Sequence, residues 1–361
     1  MTVMVTGIGH IGGYVVRDLL ASGQRVVVYG FFGGTGAASE PLPDLDYLDY
    51  LLGGNARDKV EVEIGDITDL EGLTRAAERH SVRKVVHLAS LISSGAEANP
   101  ALALRVNVGG TVNVFEAAAR LGLDKVVWAS SVEVFGERSV NESGVVDDDS
   151  PPDPVFIYGA GKLMGEKLAI RYAADHGTDI TGLRLSRVYG FGEHVKAGRG
   201  GGSSWLSSLL YQPAVGVGPS VVPFGSRHLD FHYIEDVSTA FMTALDFENG
   251  QGRSYLTHGD YRPMAEAFEF VRTLLPDATL TLSMDDIPLP PGSSLGWSRR
   301  YDASRAEREV GITRTFAMET GIYRTVNANR VYAGLPAIPE PDLSGMQPTA
   351  EPSASAARAA S

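Results

Sequence analysis

The stretch "VMVTGIGHIGGYVVRDLL", residues 3 to 20, decides the fold: an apolar run, a glycine-rich turn and an amphipathic helix follow one another without interruption. Val3 to Thr6 reads as a strand, and Val15, Val16, Leu19 and Leu20 fall on one face of a helix that Gly23 ends. Between them Gly7, Gly9 and Gly12 form a GxGxxG pattern. Glycine there permits a tight turn, lets backbone N–H groups approach a pyrophosphate and lets the helix pack closely on the strand. Standing after a strand and opening a helix, the pattern predicts dinucleotide binding; without that context it would be an ordinary turn.

Further apolar runs follow at "RVVVYG" (25–30), "KVEVEIGD" (59–66), "KVVHLAS" (84–90) and "KVVWASS" (125–131), and they read as strands buried on both faces. Amphipathic stretches lie between them, such as "LEGLTRAAERH" (70–80) and "VNVFEAAARLG" (112–122). Strand and helix in alternation predict an α/β fold with a parallel, doubly wound Rossmann sheet. "DITGLRLSRVYG" (179–190) supplies one more strand, so the dinucleotide-binding domain spans 1–190, with 230–247 returning to it. Residues 191–229 and 248–333 make a smaller, discontinuous C-terminal substrate region, in which "GRGGGSSW" (198–205) reads equally as a loop ordered around a ligand or as a mobile surface loop. Residues 334–361, rich in proline, alanine and serine, read as a disordered tail.

With 361 residues, 43% hydrophobic and 21% charged, the chain can bury a large core. The formal charge of -13 disfavours nucleic acid and anionic membranes as partners and leaves a small-molecule substrate as the default. The absence of cysteine excludes disulfides, thiolate nucleophiles and cysteine-ligated metals, and no HxH or HExxH spacing suggests a metal site. No basic lead or long apolar run marks a signal or membrane span, so the expected location is the cytoplasm.

"YGAGK" (158–162) places Tyr158 and Lys162 four apart in a predicted helix, Phe156 to Asp175, and hence on one face. A nearby ammonium favours the phenolate, so such a pair can exchange a proton with an alcohol or ketone while hydride moves to or from nicotinamide. Alone the pair would be a solvated helix face. Ser130 and Ser131 close the "KVVWASS" strand at the carboxyl edge, where parallel sheets place their ligands, and a serine there can hydrogen-bond the substrate oxygen. Asp66, at the end of another strand, can accept from an adenine amino group, while Asp69 better suits a helix N-terminus.

Together "TGIGHIGG", "GDITD", "HLAS", "NVGGTVN", "ASSVEVFG", "YGAGK" and "RLSRVYG", with "DFHYIEDV" and "YDASRAEREVGI" later, make the chain resemble the extended short-chain dehydrogenase/reductase family, the NAD-dependent epimerase/dehydratase group, over residues 1 to 330. The resemblance implies Tyr158 as acid/base, Lys162 as the residue that tunes it and binds the nicotinamide ribose, and Ser131 as donor to the substrate oxygen. It also implies Gly7, Gly9, His10, Ile11 and Gly12 at the pyrophosphate, Asp66 and Ile67 at the adenine, Leu88, Ala89 and Ser90 beside the cofactor, and Asn107 on the fourth helix. A homodimer paired through the fourth helix and the tyrosine helix is implied as well.

Several positions depart from the family pattern. The glycine turn is one residue short, and Gly30 stands where an aspartate would hold the adenosine ribose, so the cofactor is NAD or NADP, with NAD slightly favoured. Arg187 replaces the asparagine of nucleotide-sugar enzymes and Leu229 their pyrophosphate-binding arginine; Arg187, Arg227 or His228 could supply the charge instead. Glu133 matches a glutamate base of sugar dehydratases and reads either as a second base or as a rim salt bridge, with Val132 in place of the acidic partner. His194, His228, His232 and His258 are weaker candidates. The expected function is an NAD(P)-dependent oxidoreductase or epimerase acting on a secondary alcohol or ketone of a polar, sugar-like compound, with Ser131, Glu133, Arg187 and Arg227 facing the substrate. The alternatives are a nucleotide-sugar epimerase or dehydratase with tightly bound NAD, and a non-catalytic dinucleotide sensor.

Overall fold

The computed structural model describes residues 1–32, 42–194, 204–289, 292 and 294–349. Seven parallel strands form the main sheet: β1 (Thr2–Thr6), β2 (Arg25–Gly30), β3 (Glu61–Ile64), β4 (Lys84–His87), β5 (Lys125–Ser131), β7 (Ile180–Leu185) and β11 (Ser254–Thr257). Their spatial order is β3-β2-β1-β4-β5-β7-β11. The chain therefore winds outward from β1 in both directions, and the connections after β1 and β4 part to open a crevice at the carboxyl edge.

Alternate residues of the central strands enter different cores, which is why these runs are continuously apolar. Val3, Val5, Val26, Val28 and Val127 join one cluster with the helices His10–Ala21 and Ile234–Asp246. Met4, Val27, Val126 and Trp128 join the opposite one with the helices Leu70–Arg79 and Gly110–Leu121. Each fully buried valine stabilises the fold by about 1.5–3 kcal/mol of transfer free energy.

The smaller sheets bring the C-terminal half over the crevice. β8 (Val188–Tyr189) runs parallel to β10 (His228–Tyr233), which pairs antiparallel with β12 (Asp260–Pro263). β6 (Val145–Val146) pairs with β14 (Arg300–Tyr301), and β9 (Ser220–Val222) with β13 (Leu280–Leu282).

Three differences from the sequence reading have physical causes. β3 is not buried on both faces: it is the sheet edge, where Glu61 and Ile64 are exposed. β11, placed by sequence in the substrate region, pairs with β7 and extends the main sheet, whereas β10, placed with the dinucleotide domain, lies in a separate sheet although its following helix packs on the first helix through Ser238 and Asp18. The tail expected to be disordered from 334 has fixed contacts as far as 349: the Ile338 N–H donates to Asn327, and the Thr349 N–H and hydroxyl both donate to Asp260. Of the glycine-rich run 198–205, residues 198–203 lie outside the described residues, as do 350–361.

Two buried histidines make stability sensitive to acid. Thr111 donates to the Asn107 carbonyl, so it accepts from His87 Nε2, and His87 Nδ1 is left to accept from Thr6. Burial holds both His87 and His232 from the usual 6.5 down to about 3. Unfolding lets them take up protons below 6.5, so their contribution is complete above that pH and is lost as pH falls from 6.5 toward 3. The expected loss at pH 5 is about 2 kcal/mol per histidine. Asp148 and Asp236, both pushed up to about 6 by burial, work in the opposite direction over the same range, so the comparison of the unmodified protein with His232→Asn reads the histidine's share. The urea midpoint should fall less between pH 7 and pH 5 in the variant, and equal falls would contradict it.

Candidate active site

The glycine turn is built by close approach. Gly7 has φ of +80°, and a Cβ on it would lie 2.8 Å from the Ala89 backbone nitrogen. A Cβ on Gly12 would lie 2.3 Å from the Gly7 carbonyl oxygen. The helix His10–Ala21 starts at Gly9 with no side-chain cap and no acidic residue in its first turn, so its N-terminal N–H groups suit an anion. These features fit a dinucleotide pyrophosphate at residues 7–12, with Leu88 and Ala89 packed beside it.

Around the turn the other cofactor candidates are placed by backbone contacts. Gly65 N–H donates to the Gly30 carbonyl and Tyr29 hydroxyl to the Asp66 carbonyl, which sets Asp66 and Ile67 at the same edge as the turn. The Asp66 carboxylate itself accepts from Thr68 N–H, while Asp69 caps the next helix through Gly72 N–H. Asn107 lies in a π-helical segment, Leu104–Gly109, and exchanges two hydrogen bonds with the Leu91 backbone, fixing the chain just past Ser90. His10 is buried, 4.0 Å from Glu193, and its carbonyl accepts from Tyr47.

Ser131 ends β5, buried in the crevice, and its Oγ accepts the Glu133 N–H at 3.2 Å. It therefore caps the one-turn helix Val132–Val134, as a serine at a turn does, and its O–H lies within hydrogen-bonding range of the Tyr158 phenol. Ser130 faces the other way and donates to Glu166. Tyr158 and Lys162 lie on the helix Ile157–His176, whose start is drawn in at Gly159: a Cβ there would lie 2.0 Å from the Glu133 carbonyl oxygen.

Lys162 is buried, donates to the Ala129 carbonyl at 2.7 Å and stands 5.5 Å from the Tyr158 ring centre. Burial lowers its ammonium to about 8. Tyr158 keeps part of its surface open to the crevice, but its phenol is pushed up to about 12, first by burial, then by the Glu133 charge, against the pull of the nearby Ser90 and Ser131 hydroxyls. The sequence reading expected Lys162 to lower it. In the structure burial is the largest influence on the phenol, and it raises it.

Glu133 sits at the same site and its carboxyl is also pushed up by burial, opposed by a hydrogen bond from Ser294 and by Arg299 and Arg187. Arg187 lies 3.6 Å from Glu193 and 5.9 Å from the Trp205 ring. Arg227 is elsewhere engaged: its guanidinium clasps Asp286 through two hydrogen bonds, and the structure shows no contact between it and Tyr158 or Glu133. Leu229 is buried in β10. His228 stacks on Tyr261, His194 on Tyr332, and His232 and His258 are buried near Ser186 and Asp230.

Sequence reasoning missed Ser294, Arg299 and an aromatic wall of Trp205, Phe224 and Trp297, whose ring centres lie 5.0–6.2 Å apart. Only the tryptophans carried a signal, as two of the three in the chain standing in glycine- and serine-rich loops. Among the described residues no helix is long and apolar enough to cross a membrane.

Comparison with known proteins agrees with this geometry. Residues 3–256 match the model of the NAD dependent epimerase/dehydratase family. A putative UDP-glucose 4-epimerase of Methanocaldococcus jannaschii is 29% identical over 254 residues, 69% of this chain and 74% of that protein. The UDP-glucose 4-epimerase of Thermus thermophilus in complex with NAD superposes with a TM-score of 0.72 at 26% identity, covering 91% of this chain and 99% of the other. An L-threonine dehydrogenase of Clostridium difficile has the same fold, with a TM-score of 0.71 at 19% identity over 92% of this chain and 98% of the other. The chain belongs to the NAD dependent epimerase/dehydratase family and is an NAD-dependent enzyme of the extended short-chain dehydrogenase/reductase type.

Proposed function

We propose that the protein is an oxidoreductase or epimerase that acts on a secondary alcohol or ketone of a polar, sugar-like small molecule. The observation that carries this reading is the convergence of Ser131, Tyr158 and Lys162 at the carboxyl edge of β5. In the oxidising direction Ser131 turns its O–H to the substrate oxygen, and Tyr158 accepts the proton as the carbon loses hydride. The buried ammonium of Lys162, held by the Ala129 carbonyl, stabilises the phenolate form of Tyr158 that accepts this proton. Bound NAD supplies the hydride acceptor at nicotinamide C4. Glu133, with its raised carboxyl beside Tyr158, is positioned as a second base.

A second reading, a nucleotide-sugar epimerase with tightly held NAD, is favoured by the similarity to the Thermus UDP-glucose 4-epimerase. Mass spectrometry of small molecules released from the denatured protein, with NAD(H) and NADP(H) titrations, separates the two. Reversible binding of NAD to a protein purified without it is the expected result; retained NAD and no net absorbance change on turnover would favour the epimerase. Binding of neither dinucleotide would overturn both. Pairing of two copies through the helices Gly110–Leu121 and Ile157–His176 belongs to the same proposal, supported by the exposed Met164 and Ile170 on the latter.

A further inference from the structure

We propose that Arg187 reads a carboxylate on the substrate, so that the compound handled at Ser131 and Tyr158 is a free hydroxy acid and not a nucleotide-diphosphate sugar. This rests on the oxidoreductase reading above and names its substrate class.

Arg187 carries an unexplained feature. Its Nε and Nη2, the two donors along one edge of the guanidinium, are buried and make no hydrogen bond. Buried donors are rarely left without an acceptor, and a guanidinium edge matches the two oxygens of a carboxylate. The ion pair to Glu193 at 3.6 Å is too long to satisfy them as a hydrogen bond. The Trp205 ring beside the guanidinium holds it in place.

The position suits a small molecule. β5 and β7 are neighbours, with Ser131 opposite Leu185. Arg187 follows two residues later, about 7 Å along the chain, so the Ser131 hydroxyl and the guanidinium can face the two ends of one short substrate. Glu133 lies within electrostatic reach of both Tyr158 and Arg187.

Local charge argues against a diphosphate. Such a group needs several cations, and among the described residues Arg187 and Arg299 are offset by Glu133 and Glu193. Arg299 already donates to the Phe135 carbonyl, Arg227 is clasped by Asp286, and Leu229 brings no charge. A guanidinium edge without hydrogen bonds recognises a single carboxylate by geometry rather than by bulk potential.

The test uses the NAD-loaded full chain, titrated by calorimetry with 3-hydroxybutyrate, D-gluconate and L-threonine, with the methyl ester of each, and with UDP-glucose. At least one acid is expected to bind roughly 10- to 100-fold more tightly than its ester, the range for hydrogen bonds to a charged group. Arg187→Met should abolish that preference, and Arg187→Lys, which keeps the charge but loses the fork, should not restore it. Unchanged NAD affinity and melting temperature would show that the variants fold. Equal binding of acids and esters, tighter binding of UDP-glucose, or failure of all three acids would overturn the proposal. Failure of the underlying oxidoreductase reading shows separately, as loss of NAD binding by the unmodified protein.

Discussion

Replacing Tyr158 by phenylalanine is expected to lower kcat by roughly 10²- to 10⁴-fold, the span that general acid–base catalysis supplies, while leaving NAD affinity and melting temperature unchanged. The hydroxyl is the only group lost, and its ring keeps its place 5.5 Å from the Lys162 ammonium. Because the phenol is pushed up to about 12, the phenolate is scarce at neutral pH, and turnover of the unmodified protein should rise as the pH is raised from 7. Lys162, lowered to about 8, sets a limit to that rise: above it the ammonium loses its proton and with it the charge that stabilises the phenolate. Initial rates from pH 6 to 10 for both proteins, with the best substrate of the titration panel, test this. Full activity in Tyr158→Phe would remove the tyrosine from the chemistry.

The sheet and the grouping of Ser131, Tyr158 and Lys162 were legible in the sequence because each rests on a local pattern. Continuous apolar runs such as "RVVVYG" announce strands covered on both faces, and the glycine spacing after β1 announces the turn. The i, i+4 relation of Tyr158 and Lys162 needs only a helix. What was not legible depends on long-range packing. Nothing local in "SYLT" says that β11 joins β7 rather than another strand, since a four-residue strand is specified by its neighbour. Arg227 could not be seen to spend its charge on Asp286, because the two are 59 apart in the chain. The upward shift of Tyr158 was hidden for the same reason: the i, i+4 spacing to Lys162 is local, whereas the burial that raises the phenol comes from residues distant in the chain.

Gly12→Ala should cost NAD affinity by at least roughly 100-fold, the scale on which a displacement of about 1 Å matters at a positioned site. The added methyl would lie 2.3 Å from the Gly7 carbonyl oxygen, a backbone atom that no side-chain rotation can move aside. Gly7 cannot retreat freely, because it has φ of +80°, donates its N–H to the Tyr29 carbonyl and has the Ala89 backbone against its other side. The clash must therefore push the helix His10–Ala21 away from β1, and its uncapped N–H groups move with it. Gly95→Ala is the control, since a Cβ there meets nothing within 4 Å. Calorimetric titration of both variants with NAD, alongside thermal unfolding, reads the result. Loss of affinity in a folded Gly12→Ala protein with an unaffected control would place the pyrophosphate at this turn, and retention of affinity would move the dinucleotide elsewhere, separating it from the Tyr158 and Lys162 pair that needs it.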